Sequence, residues 1–131
     1  MEPNKYQIGG SHYQGEYQHW DWVHDTRQPY VIGCATKYVS RWRKKNGLED
    51  LRKSLHYISK AEDCGIEFPE HDADNTVRFC NQLSNDDANI ILYIAFNHFE
   101  SAIKCIQELI EEIECGPGKS YVDPDGGFFK G

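Results

Sequence analysis

From Tyr30 onward, apolar residues recur at intervals of three and four, the spacing that lays a stripe down one side of a helix. Val31, Cys34, Ala35, Tyr38, Val39 and Trp42 make one stripe, and Leu48, Leu51, Leu55, Ile58 and Ala61 make the next. Such a stripe is stable only when buried against another element. Asn46-Gly47 separates the two, because glycine accepts the left-handed conformation that ends many helices. Glu49 and Asp50 then fall in a first turn, where carboxylates favour the helix dipole, and Gly65 closes the run. The expected unit is a basic antiparallel hairpin over about residues 31–45 and 48–63.

Elsewhere the same period is legible. Trp20, Val23 and His24 predict a short helix closed by Pro29, since proline disfavours helical geometry in the residue before it. After the break at Phe68-Pro69, Asp72 or Asp74 can cap a short helix containing Val77, Phe79, Cys80 and Leu83, and Ser84 to Asp87 is a second capping region. From Ile90 to Ile113 the spacing is sustained, predicting one long helix over about 87–114. Residues 1–18 and the Gly- and Pro-rich tail 116–131 read as irregular. The fold expected is all-α, a small helical bundle in a single domain spanning 1–131, with 70–114 as a region for self-association.

The net charge of −7 opposes a duplex-nucleic-acid binder, whose affinity comes from many cations neutralising phosphates. The charge is uneven, however. Lys37, Arg41, Arg43, Lys44, Lys45, Arg52, Lys53 and Lys60 crowd one segment, and residues 62–87 are strongly acidic. A local basic site on an acidic chain suits a small anion. Five cysteines without a CxxC pair, the absence of a signal-like leader and the absence of a long apolar run predict reduced thiols in a cytoplasmic protein with no membrane span.

No GxxxxGK[ST] or GxGxxG segment is present, so a phosphate must be gripped by side chains. In KYVSRWRKK, Lys37, Arg41, Lys44 and Lys45 would share one face of a continuous helix, with Arg41 able to hold phosphate oxygens bidentately. A solvated basic face gives the same spacing. Ser11, His12 and Tyr13 sit in a glycine-flanked loop where backbone can approach a ligand and His12 can donate or shuttle a proton. Trp20, Trp22 and Tyr38 are able to stack on a base, although tryptophans of a small helical protein equally fill its core, the role expected for Trp42. No histidine or cysteine spacing marks a metal site; Glu49-Asp50 and Glu62-Asp63 would serve Mg²⁺ only with help from a ligand's phosphates.

The blocks GGSHYQ, HWDWV, GCATKYVSR, KK and LEDLRKSLHYISKA, in that order, resemble the SaV-like family of small bacteriophage proteins known as nucleotide kinase-like. The likeness covers residues 5–63 or so, about half the chain. It implies a phage protein in the host cytoplasm and, for at least one branch, a deoxynucleoside monophosphate kinase that works without a P-loop. By block, His12 and Tyr13 match the family's HY, Lys37, Tyr38 and Arg41 its KYxxR, Lys44 and Lys45 its basic pair, and Asp50, Leu51, Lys53 and Tyr57 its EDLxKAxxY. Where the family commonly has Gly-Asn, this chain has Gly33-Cys34.

Phosphoryl transfer requires that donor and acceptor be positioned and the spreading charge neutralised. On this reading His12, Lys37 and Arg41 are the catalytic candidates. The ligand contacts add Ser11, Tyr13, Trp20, Tyr38, Lys44, Lys45, Asp50, Lys53 and Tyr57, with ATP or another nucleoside phosphate as donor. So short a chain needs a second copy to enclose two nucleotides, hence a homo-oligomer. Two other functions fit the same residues: sequestration, without turnover, of a nucleotide signal made by a bacterial defence system, which the Cys34 departure favours, and an all-α nucleotide pyrophosphohydrolase, which would want more carboxylates than the turn carrying Lys53 supplies.

Overall fold

The computed structural model describes residues 16–115, which form six helices and, among the described residues, no strand. They are α1 (His19–Thr26), α2 (Tyr30–Arg41), α3 (Leu48–Asp63), α4 (Ala73–Cys80), α5 (Asn85–Ala95) and α6 (Phe99–Cys115). The protein is an all-α bundle, as its periodicity requires. Ser11, His12 and Tyr13, and the tail from residue 116, lie outside the described residues.

Helix α2 packs on α3, α3 on α6, α6 on α5 and α5 back on α2, closing a four-helix ring. Its interior holds Ile32, Leu51, Ile58, Ile90, Ile94 and Ile106, all fully buried. Helices α1 and α4 pack against each other and flank the ring. Trp22 is their joint: it stacks on Phe79 with centroids 4.8 Å apart, and its indole N–H donates to the Thr76 hydroxyl at 3.0 Å. Having no exposed surface, Trp22 belongs to the core and presents no face to a ligand.

Local chemistry sets the helix ends. Asp72 caps α4 by accepting the Asp74 amide at 2.9 Å, and Ser84 caps α5 by accepting the Asp87 amide at 3.3 Å. Gly47, with φ of +56°, both ends the connection after α2 and starts α3. Helix α1 stops at Thr26, short of Pro29, because Arg27 turns left-handed and its amide and that of Gln28 return to His24 and Val23 carbonyls.

Two expected elements are revised. The long helix over 87–114 is two helices, α5 and α6, broken at Phe96 to His98. Asn97 there adopts φ of +65°, and its side chain accepts the Phe68 amide at 2.7 Å and donates to the Phe68 carbonyl at 3.1 Å. Those bonds satisfy the backbone of a segment distant in sequence, which the apolar period cannot register. The first hairpin helix ends at Arg41 instead of continuing to 45, since residues 42–47 wind into turns in which the Gly47 amide reaches the Trp42 carbonyl at 2.9 Å. Lys44 and Lys45 are consequently exposed on that turn and do not continue the helical face of Lys37 and Arg41.

Candidate functional site

What remains of the basic helix face gathers around one tyrosine. Tyr38 on α2 lies nearly parallel to Tyr57 on α3, centroids 5.9 Å apart and planes 12° from parallel. The pair exists because α2 and α3 run antiparallel and close together, so residues well separated in the chain meet across the hairpin. The Arg41 guanidinium stands 4.8 Å from the Tyr38 ring centre, the Lys37 ammonium 4.9 Å and the Lys53 ammonium 5.4 Å. A ring's electron-rich face attracts each cation, but three cations about one ring repel one another and need compensating negative charge.

The protein supplies part of that charge. Asp50, fully buried, accepts Arg41 Nε at 3.2 Å and Nη2 at 3.4 Å, and its Oδ2 also takes the Asn46 amide at 3.2 Å. Burial alone would push its carboxyl up; the Arg41 and Asn46 hydrogen bonds outweigh it and hold Asp50 below the usual carboxylate range. Glu49 Oε2 lies 3.4 Å from Lys53 Nζ, an exposed pair one helical turn apart.

Beside this cluster an open groove of about 540 Å³ is lined by Tyr38, Glu49, Arg52, Lys53, His56 and Tyr57. Arg52 pairs with Glu114 at the end of α6, and His56 packs edge-on against Tyr57. Arg52 and His56 are not among the expected ligand contacts; their α3 spacing with Lys53 and Tyr57, which places all four on one side of the helix, is the signal in the sequence that marks them. Another hollow, of about 400 Å³, is rimmed by Glu62, Glu67 and Glu100, whose charge repels a phosphate.

Of the expected ligand contacts, Lys37, Tyr38, Arg41, Lys53 and Tyr57 come together. Asp50 is beneath them and occupied by Arg41. Trp20 is half exposed on α1 and does not line the groove, and Lys44 and Lys45 point from the turn.

Behind Lys37 lies a buried polar chain that the sequence does not reveal. His19 Nε2 is 2.8 Å from the Thr36 hydroxyl, which donates to Gln28 Oε1 at 2.9 Å; Gln28 Nε2 donates to Thr26 at 3.1 Å, and Thr26 to the Trp22 carbonyl at 2.6 Å. Burial, assisted by the nearby Lys37 charge, lowers His19 to about 4, so the ring is neutral near pH 7. Neither His19 nor His71, which bonds Pro69 and Thr76, is gathered for a metal: no group of three potential ligands exists among the described residues. The five cysteines are all free thiols.

Residues 8–59 match the model of a family described as a protein of unknown function (DUF3310), a stretch that includes α1, α2 and most of α3 and hence every residue of the Tyr38 cluster. No curated protein and no solved structure matches the chain. In sequence, the half that carries the basic cluster is therefore similar to a family without an assigned activity.

Proposed function

We propose that the protein binds a phosphorylated small molecule, a nucleotide, at the Tyr38 cluster, and that it acts as a P-loop-free nucleotide kinase of the kind its N-terminal half resembles. The observation that carries this reading is the convergence of Lys37, Arg41 and Lys53 within 5.4 Å of one aromatic ring beside an open groove. Cations offer charge-assisted bonds to phosphate oxygens, and Tyr38, His56 and Tyr57 in the groove lining offer aromatic surface for a base. His12, outside the described residues, would be the proton-handling group of that kinase, and any Mg²⁺ would arrive with the nucleotide.

The groove is open on one side, which supports two further parts of the proposal. One is a homo-oligomer in which a second copy covers the nucleotide; exposed Tyr93, Phe96 and Ile113 on and beside α5 and α6 are the apolar residues available to such an interface. A strictly monomeric mass in solution would refute it. The other is the alternative role of a phage protein that sequesters a nucleotide signal in the host cytoplasm without turnover, for which an open cationic cleft suffices. A pyrophosphohydrolase gains no support, because Glu49 and Asp50, the carboxylates it would turn on Mg²⁺, are each engaged by a cation. No helix among the described residues is long and apolar enough to cross a membrane.

The test is to incubate the protein with labelled ATP and deoxynucleoside monophosphates and distinguish three outcomes. Diphosphate formation identifies a kinase, recovery of unchanged nucleotide from a stable complex identifies sequestration, and no bound nucleotide at all refutes both. Arg41→Ala is expected to weaken nucleotide binding by about 2 kcal/mol, since it removes a charge-assisted pair of bonds. Unchanged affinity would move the site elsewhere.

A further inference from the structure

Arg41 and Asp50 meet in a particular way. The carboxylate takes Nε and Nη2, the side edge of the guanidinium, through two different oxygens at 3.2 and 3.4 Å. A guanidinium carries five N–H bonds in a rigid plane, so its end edge, formed by Nη1 and the second hydrogen of Nη2, stays available for another bidentate acceptor. Asp50 cannot itself reach a ligand, being fully buried while Arg41 is about one-third exposed. It is also fixed from behind: it sits in the first turn of α3, where the Asn46 amide donates to the same Oδ2 that holds Arg41. The guanidinium is thereby held against the Tyr38 ring, with Lys37 and Lys53 at the same ring.

We infer that Asp50 is a positioning residue: it presets the end edge of Arg41, at the ring it shares with Lys37 and Lys53, for two oxygens of one phosphate group. The inference rests on the proposed phosphate site, and it assigns Asp50 a role different from the direct ligand contact that its sequence motif suggests. Without Asp50 the arginine would keep its charge and lose its orientation. Its side chain would then have to be ordered at the moment of binding, a cost that a preset arrangement avoids.

The experiment uses the full chain and pyrophosphate as probe, titrated calorimetrically at low salt, with the Arg41 Nε–H signal followed by NMR. Asp50→Asn keeps the side-chain volume and an acceptor for the Asn46 amide while removing the charge and one of the two oxygens. The expected result is a loss of about tenfold in affinity, the effect of one displaced charge-assisted bond, together with faster solvent exchange at Arg41 Nε–H. Ser54→Ala, a change at another buried α3 position whose hydroxyl bonds only the Leu51 carbonyl, is expected to leave affinity unchanged. In the wild type, pyrophosphate should leave the Nε–H protected and slow the exchange of the Nη protons, a readout that survives even if Asp50→Asn does not fold.

Wild-type binding that Asp50→Asn leaves intact would overturn this inference while the phosphate site stands. So would Nε–H losing its protection as pyrophosphate binds, because Arg41 would then have turned away from Asp50. Failure of the wild type to bind pyrophosphate or ATP would sink the site and the inference together.

Discussion

Asp87 offers the most direct test of how the basic turn is anchored. At the third position of α5 it is almost completely buried, and it accepts the Trp42 indole N–H at 3.0 Å and Arg43 Nε and Nη2 at 2.9 and 3.4 Å. Asp50 in α3 and Asp87 in α5 thus grip Arg41, Trp42 and Arg43 in succession, which is where α2 ends. Replacing Asp87 by Ala leaves a buried indole N–H without its acceptor, at a cost of about 1–3 kcal/mol. The Arg43 pair adds at most about 1 kcal/mol, because that arginine is substantially solvated. The expected loss is therefore about 1–4 kcal/mol, lowering Tm by roughly 4–15 °C for a domain of this size. Asp87→Asn keeps an oxygen for Trp42 and should lose only about 1 kcal/mol. Urea unfolding followed by tryptophan fluorescence and far-UV circular dichroism measures both. An alanine variant within 1 kcal/mol of wild type, or an asparagine variant as unstable as alanine, would refute the assignment of Trp42 as the main beneficiary.

Further outcomes follow from the same contacts. His19 is lowered from its ordinary 6.5 to about 4 by burial and then by Lys37, so the unfolded chain binds the extra proton between those values. Stability is full above pH 6.5 and declines as pH falls toward 4, by roughly 3 kcal/mol at most; urea midpoints from pH 7 to 4 should show the slope, and His19→Gln should flatten it. The Asp50 contribution lies lower, present above its ordinary 3.8 and lost as pH falls further. At the break between α5 and α6, Asn97→Gly preserves the left-handed backbone but removes both bonds to Phe68, costing about 1–2 kcal/mol, and Asn97→Ala should be worse by about 1 kcal/mol because it adds backbone strain. Equal stability of those two variants in thermal melts would show that the left-handed conformation is not required there.

The helices of this protein are inscribed in its residues because burial of an apolar stripe is periodic. The stripes Val31 to Trp42 and Leu48 to Ala61 announce the hairpin, Gly47 and Gly65 bound its second helix, and Asp72 and Ser84 cap where short polar side chains before apolar runs predict. Lys37 and Arg41 could be named from helical spacing, Tyr38 from its aromatic face, and Lys53 and Tyr57 from the family resemblance, and they meet.

Which groups are used up in holding the fold was decided only in three dimensions. Asp50 looks like a ligand contact in sequence and is Arg41's buried partner; Arg43 looks like one more surface cation and is tied to Asp87 across the bundle. Helical period continues unbroken from Ile90 to Ile113, yet Asn97 breaks it to bond Phe68. The physical reason is common to these cases. Local sequence specifies propensity and the side to be buried, whereas the pairing of a buried charge or a backbone amide depends on which distant group packing brings within hydrogen-bonding distance of it.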